Sequence, residues 1–177
     1  MEPGELERLN EHHDVSAFDA GPTDTEGQAA WLRDRAISND ARGNTRVFVT
    51  PYAGTKRVGG FFGIAPGSVI HQGLPRRLRP HGTPPIIPAW FIARLAVDVP
   101  LQGRGVGRDL MLAALSRIVK LHQDGGGALV VVDAASDKAQ RLYAGHRFVP
   151  LTQTNPEART TRMVAPMADV IELLREP

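Results

Sequence analysis

The chain has 177 residues, 42% of them hydrophobic, and a formal charge of +2, enough apolar material to bury the core of one domain. It contains no cysteine, which excludes disulfides, thiolate nucleophiles and cysteine-ligated zinc and points to a reducing compartment. No segment approaches the ~18 continuous apolar residues of a membrane span, and no apolar run follows the first residues, so a soluble cytoplasmic protein without membrane contact is expected.

The charge is unevenly spread. Residues 1–30 hold eight acids against Arg8 alone, whereas residues 41–97 contain no Asp or Glu and carry Arg42, Arg46, Lys56, Arg57, Arg76, Arg77, Arg79 and Arg94. A basic face of this kind attracts polyanions, nucleic acid first among them. The plainer reading is a solvated surface that lacks acids.

In chain order, residues 1–15 read as an acidic, mobile segment and 16–177 as a single domain. Thr23-Asp24-Thr25-Glu26 has capping-box spacing and predicts a helix over 28–38, with Trp31, Leu32 and Ala36 as its buried stripe. Strands are predicted over 46–50 and 58–64, joined through a turn at Gly54. Within the second, Phe61 and Phe62 point to opposite faces, one into the core and the other outward, where an exposed ring could serve a dimer contact. Residues 69–88 carry Pro75, Pro80, Pro84, Pro85 and Pro88 and read as a surface insertion. A strand over 89–97 leads to a helix over 109–121, marked by Leu110, Ala114, Ile118 and Leu121. Gly125-Gly126-Gly127 ends that helix. Then follow a strand over 128–132, a helix over 137–144 capped by Ser136, a strand over 160–165 and a terminal helix over 168–175. The order is that of an α/β fold with a mixed central sheet flanked by helices.

Between the strand and the long helix lies Gln102-Gly103-Arg104-Gly105-Val106-Gly107-Arg108. A strand thus delivers the chain to a helix N-terminus, whose first amides lack intrahelical partners and whose dipole favours an anion. Glycines there let a phosphate reach the backbone, and Arg104 and Arg108 add forked, permanently charged donors. A plain flexible turn would use the same glycines. No Gly-Lys-Ser/Thr follows, as a nucleotide P-loop requires, and the loop lies too late in the chain for a dinucleotide fold.

This segment resembles the acetyl-CoA signature of the GNAT superfamily of N-acetyltransferases, with Gln102, Gly105 and Gly107 in the pattern positions. Ala30-Trp31-Leu32-Arg33-Asp34-Arg35-Ala36, Val58-Gly59-Gly60-Phe61-Phe62, Arg94-Leu95-Ala96-Val97-Asp98 and Ala139-Gln140-Arg141-Leu142-Tyr143 narrow the likeness. They look like TacT-type toxins of toxin-antitoxin modules, across about residues 16–168. Arg147 stands where that family usually has Gly. The resemblance implies a GNAT fold whose splayed strand pair holds the cofactor. It also implies acetyl-CoA as cosubstrate, aminoacyl-tRNA as acceptor, a ribbon-helix-helix antitoxin with operator DNA reached through that complex, and a homodimer.

The resemblance assigns Tyr143 to protonate the departing thiolate, against the plainer reading of a core tyrosine. Backbone amides of Leu95, Ala96 and Val97 would hold the pantetheine arm and polarise the acetyl carbonyl. Gln102, Gly103, Arg104, Gly105, Val106, Gly107, Arg108 and Ser136 complete the cofactor set. Arg76, Arg77, Arg79 and Arg94 are the candidate tRNA contacts, with Asp98 as an alternative partner for Arg94. An α-amino group has a reference pKa of about 8, so no strong base is required. Among His71, His81, His122 and His146, the last lies nearest Tyr143 in sequence. His12-His13 has no metal-ligand spacing and no metal is expected. Two other readings stay open: an acetyltransferase of protein N-termini, lysine or small amines, and a non-catalytic CoA-binding repressor subunit.

Overall fold

The computed structural model describes residues 2–79, 82–151 and 159–176. Its elements are β1 (Glu7–Arg8), α1 (Gln28–Asp34), α2 (Ala36–Ala41), β2 (Arg46–Pro51), β3 (Val58–Ile70), β4 (Ile86–Val97), α3 (Val106–Gly125), β5 (Leu129–Ala134), α4 (Asp137–Ala144), β6 (Val149–Pro150), β7 (Thr161–Pro166) and α5 (Met167–Leu173). The strands lie in the order β1-β2-β3-β4-β5-β7-β6, with β4 and β5 parallel and β5 and β7 antiparallel. This is the mixed α/β sheet expected. The chain divides into two compact units, Met1–Ala65 with Ala93–Ala114 and Pro66–Ile92 with Leu115–Pro177.

In the first unit, β2 is buried from Val47 onward and β3 from Val58 to Ile64. Alternation along β3 sends Phe61 to Phe18 and Trp31, at ring distances of 5.5 and 6.0 Å, and Phe62 to Phe48 at 5.2 Å. Both rings are fully buried, so the exposed phenylalanine expected as a dimer contact is absent: each face of β3 has its own aromatic cover. The pair Gly59-Gly60 makes room beside them. A Cβ on Gly59 would lie 2.6 Å from Leu101, and one on Gly60 2.8 Å from Leu110.

The helix expected over 28–38 is broken at Arg35, whose φ of −130° separates α1 from α2. Its N-terminus is capped by Asp24, not by a capping box: the carboxylate accepts from the amides of Gln28 (2.7 Å) and Ala29 (3.0 Å). The acidic N-terminal segment, expected to be mobile, is laid down as an edge strand, with Glu7 and Arg8 opposite Val49 and Phe48 and Leu9 in the core. Asp40 holds it there. Its carboxylate accepts from Arg8 (2.5 Å) and from the Val47 amide (2.8 Å); burial pushes the group up, but these bonds and Arg46 bring it below the usual carboxylate range.

In the second unit, β5 is buried from Leu129 to Val132 because parallel β4 and antiparallel β7 take both its edges. The insertion expected over 69–88 is described except at Pro80 and His81. The outgoing strand extends to Ile70, 3-10 turns follow at His71–Gly73 and Arg76–Leu78, and β4 begins at Ile86. Leu74, 1% exposed, pins it to a cluster with Val69, Ile87, Leu129 and Val164. Helix α4 has the predicted bounds, and Ser136 Oγ accepts from the Ala139 amide at 3.2 Å.

Candidate active site

The candidate cofactor loop belongs to the first unit. β4 is in register with β5 from Ala89 to Ile92 and runs on to Val97, so Leu95, Ala96 and Val97 follow the registered stretch. A 3-10 turn at Val99–Leu101 then leads into the loop. Gly103 and Gly105 have φ of 77° and 86°, a left-handed backbone that side chains oppose. The Gly105 carbonyl accepts from the amides of Arg108 (2.9 Å) and Asp109 (3.1 Å), which makes it the last residue before the helix. Val106 and Gly107 therefore hold amides of the first turn, which have no carbonyl within the helix to bond. Space above Gly103 and Gly105 is open, and Arg104 and Arg108 are exposed. Open backbone at the head of a 20-residue helix fits a pyrophosphate. Gln102 ties the loop down: its Nε2 donates to the carbonyls of Ala20 and Val97, both at 2.9 Å.

Arg94, also in the first unit, lies over the Trp31 ring at 5.2 Å and reaches the Glu26 carbonyl at 3.4 Å. Asp98 is bonded by Arg57 instead, at 2.9 Å. Sequence reasoning missed Arg57 and Tyr52 as partners of Asp98, since they lie 41 and 46 residues away.

The second unit carries Tyr143, buried on α4 with Phe148 tilted against it at 5.7 Å. The turn after α4 folds back because the Tyr143 carbonyl accepts from the amides of His146 (2.9 Å) and Phe148 (3.2 Å). Burial first, and the charge of Asp133 next, push the Tyr143 hydroxyl up to about 12. Asp133 is itself gripped by Arg162 through two bonds of 2.8 Å, and that guanidinium lies 5.5 Å over Phe91. His146 Nδ1 lies 2.6 Å from the Leu142 carbonyl. A carbonyl only accepts, so Nδ1 carries the hydrogen and Nε2 is the atom left for base chemistry. Ser136 is the cap of α4 described above. Arg147 has φ of 70° and its guanidinium pairs with Glu172 and Glu176.

Of the insertion arginines, the structure brings Arg76 and Arg79 together with His71 around a cleft of about 430 Å³. Arg77 is exposed. The Arg79 Nε is buried and has no hydrogen-bond partner among the described residues, an arrangement that suits an incoming anion. His122 is half-buried, and His81 lies outside the described residues. His13 is a structural residue, accepting from the Asn10 amide at 3.1 Å and lying 3.2 Å from Glu7. Among the described residues no group of three His, Cys, Asp or Glu could hold a metal, and no helix is long and apolar enough to cross a membrane.

No protein-family model matches the chain. Over 149 residues, 84% of this chain and 86% of the relative, it is 36% identical to the tRNA-acetylating toxin of Mycobacterium tuberculosis. The chain belongs to the tRNA-acetylating toxins. A second relative of this toxin, the probable toxin TacT of Sinorhizobium fredii, is 30% identical over 92% of the chain and 90% of its own. Among solved structures, AtaT complexed with acetyl-methionyl-tRNAfMet superposes with a TM-score of 0.83 at 23% identity, covering 97% and 99% of the two chains. An AtaT tyrosine-to-phenylalanine variant, bound to the C-terminus of the antitoxin AtaR and acetyl-CoA, gives 0.77 at 20% identity over 97% and 98%. At these identities the structures establish a shared fold.

Proposed function

We propose that this toxin transfers the acetyl group of acetyl-CoA to the α-amino group of aminoacyl-tRNA and so stops translation. The observation that carries this reading is 36% identity to a tRNA-acetylating toxin across most of both chains. An open glycine loop at a helix N-terminus and a buried tyrosine on α4 support it. Residues 16–177, with the β1 segment that completes their sheet, act as one acetyltransferase domain in the cytoplasm. The toxin forms a homodimer, a ribbon-helix-helix antitoxin neutralises it, and operator DNA is reached through that complex.

First-turn amides of α3, with Gly103, Gly105, Arg104 and Arg108, hold the pyrophosphate of the donor, and Ser136 completes the cofactor set. Amides of residues 95–97 bond the pantetheine arm and the acetyl oxygen as negative charge develops on it. The uncharged α-amine forms the new C–N bond as the C–S bond breaks. The Tyr143 hydroxyl donates its proton to the leaving sulfur, and the proton shed by the amine restores the phenol through water. The substrate amine has a reference pKa of about 8 that its ester lowers further, so no strong base is needed. Arg76 and Arg79 bind tRNA phosphate in the cleft with His71, Arg77 adds field at its rim, and Arg94 contributes from beside Trp31.

Tyr143→Phe tests the assignment: turnover should fall about 100-fold while acetyl-CoA affinity is kept, because the hydroxyl acts only on the leaving group. With Tyr143 held up to about 12, the phenol keeps its proton through neutral and moderately alkaline pH. The wild-type rate should therefore rise with pH as the substrate ammonium loses its proton, with no decline near pH ~10, the ordinary tyrosine value. Turnover unchanged in the variant, or purified toxin that acetylates lysine peptides and leaves aminoacyl-tRNA untouched, would refute the proposal.

A further inference from the structure

The loop that fits the donor pyrophosphate departs from a buried carboxylate. Asp98 is fully buried. Its Oδ1 accepts from the Asp19 amide at 2.8 Å, and its Oδ2 accepts from the Tyr52 hydroxyl at 2.6 Å and from Arg57 at 2.9 Å. Its own amide donates to the Gly59 carbonyl at 2.8 Å, and its carbonyl accepts from the Leu101 amide at 2.9 Å. Arg57 also lies over the Tyr52 ring at 5.1 Å, which fixes the two donors relative to each other.

A buried charge is unfavourable unless its bonding capacity is met; the Asp98 carboxylate is met by Arg57, Tyr52 and the Asp19 amide, 41, 46 and 79 residues away, while its backbone amide bonds Gly59. This junction draws together the segment after β1, the β2–β3 turn and the end of β4. Leu101 is fully buried against Gly59 and Gln102 makes its two bonds to carbonyls, but residues 102–105 are exposed. The direction in which Gly103 and Gly105 present their amides is thus set from both ends, by the junction at Asp98 before them and by the first turn of α3 after them.

We propose that Asp98 is a positioning residue for acetyl-CoA: its carboxylate, held by Tyr52 and Arg57, fixes the departure of the phosphate loop so that the loop amides are ordered before the donor arrives. Ordering in advance removes a cost that binding would otherwise carry. The proposal rests on the reading of this loop as the acetyl-CoA site.

Two variants test it, Asp98→Asn, which removes the charge at constant shape, and Tyr52→Phe, which removes one donor and keeps the ring. Calorimetric affinities would be measured for acetyl-CoA and for S-acetyl-pantetheine, which lacks the pyrophosphate, beside steady-state kinetics with charged tRNA. The expected result for Asp98→Asn is a loss of acetyl-CoA affinity and a rise in its KM on the order of tenfold. Affinity for the fragment, the KM for tRNA and kcat at saturating donor should stay near wild type, with Tyr52→Phe changing acetyl-CoA in the same direction by less. If Asp98→Asn does not fold, the same selective pattern in Tyr52→Phe decides. Equal losses for acetyl-CoA and fragment, or a fall in kcat alone, would mean a merely structural carboxylate and overturn the proposal. Failure of the wild-type toxin to bind acetyl-CoA would overturn the loop reading as well, a result separable from the first because it needs no variant.

Discussion

The cofactor loop and the arginine insertion are both assigned to phosphate, yet one offers backbone and the other offers side chains. Loop amides are held by left-handed glycines and by Gln102, whose two bonds to backbone carbonyls fix the strand-to-helix turn. The insertion is held through Leu74 and two short 3-10 turns, and what it offers is guanidiniums, those of the exposed Arg76 and Arg77 and that of Arg79, whose Nε is buried. Fixed amides suit one small ligand of constant shape, because little entropy is lost when it binds. Long arginines suit a polyanion whose phosphates arrive at variable positions, since charge and reach matter more than angle. Selectivity for the donor should therefore reside in geometry, and affinity for tRNA in charge.

The largest effect expected from this contrast comes from charge reversal in the insertion. Replacing Arg76, Arg77 and Arg79 together with Glu should lower acetylation of charged tRNA by about 100-fold or more and relieve growth arrest, while acetyl-CoA affinity measured by calorimetry stays near wild type. Wild-type binding to tRNA should also weaken roughly 40-fold between about 50 and about 200 mM salt if three phosphates are neutralised, with the slope reduced in the triple variant. Arg77 reversed alone should matter least of the three, as it does not line the cleft with His71. A salt-independent wild type would break the comparison.

Smaller losses are expected at the cofactor loop, where charge assists a site made mainly of backbone. Reversal of Arg104 and Arg108 should weaken acetyl-CoA by about tenfold, as exposed charge pairs contribute up to about 1 kcal/mol each, and leave the pyrophosphate-free fragment nearly unaffected. Equal weakening of both ligands would place the arginines elsewhere than on the pyrophosphate.

What could be read from the sequence was what short spacing encodes. Ser136 three residues before the Ala139 amide predicted the α4 cap, and strand, glycines and helix in succession predicted the cofactor loop. Contacts between distant residues could not be read this way. Asp98 carries no local sign that Tyr52 and Arg57 bond it, and Asp40 none that it holds Arg8, 32 residues earlier, so the acidic N-terminus read as mobile when it is an edge strand. Arg35 breaks the first helix with a φ of −130° although its own propensity is high, and the Ser38 hydroxyl and the Asn39 side-chain amide donate to its carbonyl. One of Phe61 and Phe62 read as exposed because alternation assigns a face without saying what covers it; Phe61 packs on Phe18 and Trp31, and Phe62 on Phe48 of the neighbouring strand.

The smallest effect concerns single glycines, and it separates fixed backbone from tolerant backbone most directly. Gly103 has φ of 77° with open space around its Cα, whereas Gly73, in the insertion, has equally open space and no left-handed backbone. Alanine at either position meets no neighbour, so any difference between the two variants must come from backbone conformation alone. At Gly103 the left-handed cost of about 1 kcal/mol applies whenever the loop takes this form. If the donor requires that form and the variant loop relaxes out of it when free, Gly103→Ala should weaken acetyl-CoA about fivefold, the same 1 kcal/mol expressed as affinity; a loop that keeps the form when free should show that 1 kcal/mol as lost stability instead. Gly73→Ala has no such cost, and by narrowing the unfolded ensemble it should leave stability unchanged or raise it by about 0.4 kcal/mol or more, with tRNA acetylation at the wild-type rate. Calorimetry for the first and thermal unfolding for both would decide. A Gly103→Ala variant that loses neither acetyl-CoA affinity nor thermal stability would mean that the loop does not depend on the left-handed form, and the contrast between a donor loop made of fixed backbone and a tRNA insertion made of side chains would then fail at its first term.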